Sequence, residues 1–277
     1  MARGPRGLTD SGVVRARSAL FDVFGGYLRG RGGSATIAAL VRLLEPLGFG
    51  APAIRTAVSR MVRQGWLTPV RLTEGAGYAL TSRAERRLDE AAARIYRTGS
   101  STWDHRWHVV VLEGVPARGD RDRLASSLRL LGYGPLGVAT WVSPRPSPEL
   151  ADVLEDLPAR VFHGAHDGSD ADLAARAWDL DGLGAQYRGF VAEWTPVVSA
   201  VDGADPAQAF AASQRLLHAW RKFLFRDPGL PTELLPADWP GAAAAAFFDE
   251  HTARLAPAVT EFLDDCLNRG GKQRSTA

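Results

Sequence analysis

Five polar side chains, Arg55, Thr56, Ser59, Arg60 and Arg63, recur at intervals of one, three and four residues. At about 100° per residue they form one stripe of a helix, and Ile54, Ala57, Val58, Met61 and Val62 form the other. Such a stripe has a defined chemistry. The planar fork of Arg matches guanine O6 and N7 bidentately, and Thr and Ser hydroxyls serve bases or phosphates. The same pattern also fits a solvated polar face on an ordinary helical core, and this segment alone does not separate the two readings.

Other constellations are weaker. Two His-x-x-His pairs, His105 with His108 and His163 with His166, have the spacing of metal ligands on a helix. At least His108 and His163 fall in strand-like runs, where residues three apart face opposite ways, so satisfied or exposed histidines are the better reading. Glu113, at the end of the first apolar run of the middle region, offers one hard ligand where a metal nuclease needs more. There is no Gly-x-Ser-x-Gly elbow and no phosphate-binding loop. The single Cys266 permits neither an intrachain disulfide nor a thiolate cage, which fits a reducing compartment. The expectation is therefore no catalytic residue, no metal and no cofactor. Two enzyme alternatives stand beside it, a metal-dependent nuclease on the middle sheet and a CoA-thioester hydrolase.

The elements that position the polar stripe are legible. Ala16, Leu20, Val23, Phe24 and Tyr27 recur at three and four, predicting a helix from Val14 to Leu28 that Gly30, Gly32 and Gly33 end. A second runs from Thr36 to Leu47 and stops at Gly48. Pro52 sits where the first turn of a third helix tolerates it, and Gly65 follows its end. Trp66 to Val70 and Gly77 to Leu80 read as a β-hairpin, with Arg71, Thr73, Glu74 and Gly75 between them. Ser82-Arg83-Ala84-Glu85 has capping-box spacing and opens a helix through Tyr96, with Leu88, Ala92 and Ile95 inward. Three short helices followed by a hairpin are the order of a winged helix-turn-helix. Arg71 and the Gly75–Gly77 tip would then approach backbone phosphates.

Charge supports a division of labour. The 277 residues carry 33 basic and 31 acidic side chains, a formal charge of +2. Residues 1–100 hold 16 Arg, no Lys and 7 acids, a balance of +9, and the remainder carries −7. A basic module that meets a polyanion, joined to an acidic body, accounts for both fields. An Arg-biased genome explains Arg over Lys, because Lys222 and Lys272 are the only lysines, but not the shortage of acids in the first hundred residues. No segment near the N-terminus has an apolar signal core, and apolar runs such as Ala242 to Phe248 are too short to span a bilayer. A cytoplasmic protein without membrane contact is expected.

Several segments together resemble the PaaX family of bacterial transcriptional repressors. They are Arg17-Ser18-Ala19-Leu20-Phe21, the run from Ala53 to Val62, Gly65-Trp66-Leu67 and Tyr78-Ala79-Leu80-Thr81. Further along come Trp103-Asp104-His105-Arg106-Trp107, Arg176-Ala177-Trp178-Asp179-Leu180, and Asp227-Pro228-Gly229-Leu230-Pro231 continuing to Leu234-Leu235-Pro236. The resemblance covers nearly the whole chain in order; Ala84 departs from it where the family has Gly. It implies an α+β multidomain protein: a winged helix-turn-helix domain over residues 1–99, a ferredoxin-like middle domain over 100–172 and a helical C-terminal domain over 173–277. It also implies a homodimer that represses by occupying double-stranded operator DNA, controls phenylacetate-type catabolism, and is released by an aryl- or acyl-CoA thioester such as phenylacetyl-CoA. On that reading Arg55, Thr56, Ser59, Arg60, Arg63, Arg71 and Tyr78 face DNA.

In the middle region Trp107 to Val115, Val138 to Val142 and Arg160 to His163 predict strands, and Asp120 to Leu131 a covering helix, which is an α+β layer. Beyond it one helix is predicted from Leu173 to Trp194 and another from Gln208 to Arg226, both rich in aromatic residues. A CoA thioester needs an apolar slot and cations for its phosphates. By elimination the effector residues are placed at Arg176, Trp178, Tyr187, Arg188, Arg221 and Lys222. Surface charges beside packed aromatics remain the alternative for each.

Overall fold

The computed structural model describes residues 16–86, 88, 103–114, 118–203 and 205–272. The inward-facing positions expected at Ala92 and Ile95 fall outside these. Two compact units form: residues 1–96, 197–219 and 250–277 make one, and residues 97–196 and 220–249 the other.

The first unit begins with α1 (Ala16–Val23), which buries Ala19, Leu20 and Val23 and runs into a π-helical turn at Phe24–Leu28. The turn contains Gly25 and Gly26, and a Cβ on Gly26 would stand 2.8 Å from Leu217 Cδ2, so glycine lets that leucine close on the backbone. After β1 (Ser34–Thr36), Thr36 caps α2 (Ile37–Leu44), its Oγ1 accepting from Ala39 N at 3.1 Å. Then follows α3 (Ala51–Arg63), with Ile54, Ala57, Val58 and Met61 buried. It ends in a Schellman turn: Gly65 takes φ 70°, its N–H reaches Val62 O, and Trp66 N reaches Met61 O at 2.9 Å.

β2 (Leu67–Leu72) and β3 (Gly75–Leu80) form the hairpin, and with β1 they make an antiparallel sheet of order β1-β3-β2. Leu72 pairs with Gly75, so the turn is only Thr73 and Glu74, and Arg71 lies within β2 opposite Ala76. The expected longer turn is thus shortened, because alternating residues on both arms continue the ladder to the last pair. Thr81, not Ser82, caps the next helix: its Oγ1 accepts from Ala84 N at 3.2 Å and donates to Gly65 O at 2.7 Å. Ala84 is fully buried in this core.

The same unit includes most of α8 (Pro206–Trp220) and the later turns of α9 (Gly241–Lys272). Ala209, Phe210, Leu255, Val259 and Leu263 join α1, α2 and α3 in one core. Polar ties accompany it. Asp22, with a fully buried side chain, meets His218 Nδ1 at 2.9 Å, and Gln214 Nε2 donates to Ala19 O at 3.2 Å. α9 stays helical through Lys272.

The second unit is built on an antiparallel sheet of β4 (Trp107–Leu112), β5 (Gly134–Pro135), β6 (Thr140–Ser143) and β7 (Ala159–Gly164), in the order β5-β6-β4-β7. Val110, Leu112 and Trp141 point to α4 (Arg118–Leu130) and α5 (Leu150–Leu154), where Leu124, Leu128 and Leu150 complete a core. Trp107 and Val142 face the other way, toward Leu173, Ala174 and Ala177 of α6 (Asp170–Ala177).

The single helix expected from Leu173 is two, α6 and α7 (Leu180–Ser199). Trp178 breaks it by adopting extended φ −132°, ψ 143°, which stacks its ring on Trp107 at 6.2 Å. Asp179 Oδ1 then accepts from Gly182 N at 2.9 Å and opens α7. Gly134 makes room for this kink, since a Cβ there would lie 2.6 Å from Trp178 Cε2. Similarly, the helix expected to reach Arg226 changes to a 3-10 segment at Arg221–Phe225.

Candidate nucleic-acid interface

The two faces of α3 separate as their periodicity predicts. Arg55, Thr56, Ser59, Arg60 and Arg63 are exposed, whereas Ile54, Ala57, Val58 and Met61 are buried against α1 and α2. None of the four arginines at 55, 60, 63 and 71 forms an ion pair among the described residues. Free guanidinium groups in one stripe present five donors each to an anion or a base edge.

Thr56 differs from its neighbours. Its Oγ1 donates to Pro52 O at 2.9 Å, one turn back, so the hydroxyl proton is already used and only acceptor capacity remains. Among the described residues Ser59 has no such bond. The stripe therefore offers donors from arginines and Ser59, with Thr56 as an acceptor or a methyl surface.

The hairpin is held at a fixed angle to this stripe. Gly65 closes α3 and opens β2, while Thr81 at the far end of β3 grips the Gly65 carbonyl, so both ends of the hairpin are tied to one glycine. Phe21 packs edge-on against Trp66 at 4.9 Å, and the Arg83 guanidinium lies over the same indole at 5.6 Å. Arg71 projects from the exposed side of β2. Tyr78 is placed differently: it is half-buried, packed on the helical core, and paired with Ala35 and Pro69 across the sheet.

The residues proposed for an effector divide between two places. Trp178 stands against Trp107 on the sheet. Tyr187 is 4% exposed, stacked on Phe223 at 4.1 Å, and its hydroxyl donates to Asp227. Around it Phe190, Trp220, Phe223, Phe247 and Phe248 interlock with ring separations between 5.0 and 6.0 Å, a filled core. Arg176, Arg188 and Lys222 are exposed, and burial lowers the pKa of the half-buried Arg221 guanidinium from its ordinary value.

Histidines meet in a way their spacing along the chain does not foretell. His108 and His163, from different His-x-x-His pairs, are register partners across β4 and β7, with rings 6.0 Å apart. His108 Nδ1 contacts the Tyr133 hydroxyl at 2.5 Å, and burial followed by the nearby His163 lowers the His108 pKa. Only the pairing register of two strands 50 residues apart brings them together. Glu113 is engaged by Arg160 in an exposed ion pair. Among the described residues no group of three or more His, Cys, Asp or Glu could hold a metal ion, and no helix is long and apolar enough to cross a membrane.

Comparison with known proteins covers these same segments. Residues 15–84 match the model described as PaaX-like protein, 100–174 the PaaX protein central Cas2-like domain, and 178–265 the PaaX-like protein C-terminal domain. The transcriptional repressor PaaX of Escherichia coli is 32% identical over 91% of this chain and 84% of its own length. A solved structure of an uncharacterized protein from Mycobacterium tuberculosis is similar with TM-score 0.66 and 25% identity, over 89% of this chain and 98% of that one. Identity at that level, spread in order across helices, hairpin, middle sheet and C-terminal helices, shows that the chain belongs to the PaaX family.

Proposed function

We propose that this protein is a DNA-binding transcriptional repressor whose winged helix-turn-helix places α3 in the major groove and the β2–β3 hairpin on the flanking backbone. The observation that carries the reading is the stripe of unpaired arginines on the exposed face of α3, backed by a helical core and followed at once by a tethered hairpin. Arg55, Ser59, Arg60 and Arg63 read or grip the duplex. Thr56 contributes a methyl or an acceptor, since its hydroxyl proton is held by Pro52. Arg71 contacts phosphate, which positions the module without selecting sequence. Tyr78 supports the hairpin from its packed side.

Repression follows from occupancy of an operator by two such modules of a homodimer. Release requires a ligand that binds the DNA-incompetent state more tightly. By family relationship that ligand is an aryl- or acyl-CoA thioester, and the operon an aromatic-acid catabolic one of the phenylacetate type. The ferredoxin-like description of the middle sheet and the assignment of the protein as a binder rather than an enzyme belong to the same reading.

The test is a gel-shift titration on the DNA upstream of the protein's own gene, with scrambled duplex as competitor. Arg55→Ala and Arg60→Ala are each expected to lose about 1–3 kcal/mol on the operator and to relax preference at one base pair. Equal affinity of wild type for operator and scrambled DNA would refute the repressor reading, and turnover of a thioester or of DNA with divalent metal would replace it with an enzyme.

A further inference from the structure

The sheet of the second unit carries an open apolar recess on the face turned away from α4 and α5. Register places Val142, Val109 and Phe162 side by side across β6, β4 and β7, and Trp107 beside Gly164 in the adjoining row. Residues paired across an antiparallel sheet share a face, so these five line one surface. Leu136 after β5, Leu173 on α6 and the Gly164–His166 stretch after β7 close it into a recess of about 420 Å³.

Three features mark it as a place for a ligand. Its size is that of a small-molecule pocket, for which about 300–1,000 Å³ is usual. Phe162 in its floor is 55% exposed, an aromatic surface left uncovered while the ring cluster around Tyr187 is packed shut. At Gly164 no atom of the described residues lies within 4 Å of where a Cβ would stand, so among them nothing fills the space beside Trp107. A cation is tied to one of the lining residues: Arg106 Nη2 donates to the His163 carbonyl at 2.9 Å, its guanidinium is exposed, and it forms no ion pair among the described residues.

We propose that this recess binds an amphipathic organic anion, its aryl or acyl end on Phe162, Val109 and Val142 and its anionic part against Arg106. Resting on the effector reading above, the recess is then where the acyl end of the inducing thioester sits, rather than among the aromatic helices that hold Tyr187. An apolar floor gains from ring burial, and an exposed guanidinium held by the lining residue His163 favours negative charge without the cost of burying it.

The experiment uses the full chain with 1-anilinonaphthalene-8-sulfonate, an aryl anion that fluoresces when its rings are buried, followed by displacement with phenylacetyl-CoA. Gly164→Leu enters the recess from a position whose Cβ has open space around it and should weaken probe binding roughly tenfold or more. Arg106→Gln should weaken it up to about fivefold, the effect of one exposed charge. Phe162→Ala, at an exposed position, provides a second variant should Gly164→Leu fold poorly. All three should bind operator DNA like wild type without ligand, and Gly164→Leu should need roughly tenfold more thioester for release.

Wild-type probe affinity in both Gly164→Leu and Phe162→Ala overturns the recess. Loss of probe with unchanged thioester release overturns its role in induction and leaves the effector reading intact. Failure of every thioester to release wild type, with probe binding still sensitive to Gly164, refutes the effector reading and keeps the recess as a site for another aryl anion. A change of sedimenting mass in Gly164→Leu with unchanged probe binding would assign this face to a second copy and overturn the proposal.

Discussion

Replacement of Gly77 by alanine tests how rigidly the hairpin is set against the helices. Gly77 is a buried residue of β3 paired with Thr36 of β1 and Val70 of β2. An added Cβ would lie 2.5 Å from Leu72 Cδ1 and 2.8 Å from the Ala35 carbonyl oxygen. The first contact is relieved cheaply, because Leu72 is half-buried at the end of its strand and can rotate. The second is not. The carbonyl belongs to β1, and an ordinary contact of 3.4 Å requires that strand to retreat by about 0.6 Å. The retreat strains three ladder pairs and the Thr36 cap of α2. Forced displacement of this kind costs about 1–3 kcal/mol, with up to about 1 kcal/mol more if the cap is disturbed. For a unit of this size the melting temperature should fall by roughly 2–16 °C, at about 2–4 °C per kcal/mol.

Thermal unfolding followed by circular dichroism measures the effect, with Gly30→Ala as control. No atom lies within 4 Å of a Cβ at Gly30, so that variant should be neutral or gain about 0.4–1 kcal/mol from the restricted unfolded chain. Gel shifts on operator and scrambled duplexes should show Gly77→Ala weakened on both alike if, as proposed, the displaced hairpin carries positioning contacts only. A melting temperature for Gly77→Ala within about 1 °C of wild type would mean that β1 is free to move, and the tethered-hairpin account would fail.

Other perturbations test separate parts of the structure. Arg71→Ala should lower affinity for all sequences and reduce the slope of log K against log salt by about 0.9, the release of one counterion; an unchanged slope would remove Arg71 from the phosphate contacts. Asp22→Ala should destabilise the first unit by about 3 kcal/mol in denaturant titration, because it breaks a pair whose carboxylate is wholly buried; a change within experimental error would show that the pair contributes nothing. His108 is held below its usual pKa, so the unfolded chain takes up a proton more readily than the folded one. Stability should be full above about pH 6.5 and decline as pH falls from there toward the lower folded value. His108→Gln should flatten part of that decline, and His251, also lowered by burial, should contribute in the same direction; an unchanged pH profile would refute the burial argument.

Periodicity made the polar stripe of α3 legible, because an amphipathic helix of this length can bury only one face and Ile54, Ala57, Val58 and Met61 leave no choice of which. Glycines at 48 and 65 marked helix ends for the same local reason, their φ values of 86° and 70° being costly for other residues. Single-residue competitions were not legible. Thr81 displaces Ser82 as cap because it also has Gly65 to hold. Trp178 leaves a helical path because Trp107 and the space above Gly134 offer its ring more than one further turn would.

By itself the sequence determined the three helices of the N-terminal module, the hairpin, the separation of that basic module from an acidic remainder, and the face of α3 open to a partner. These depend on intervals of a few residues and on composition, which the linear order displays. Tertiary structure alone decided that Asp22 meets His218, that His108 stands beside His163, that Tyr187 is sealed in a core, and that Phe162, Val109 and Val142 share one open floor. Each of those depends on strand register or on packing between distant segments, where a shift of one residue turns a side chain to the other face and changes every neighbour it has.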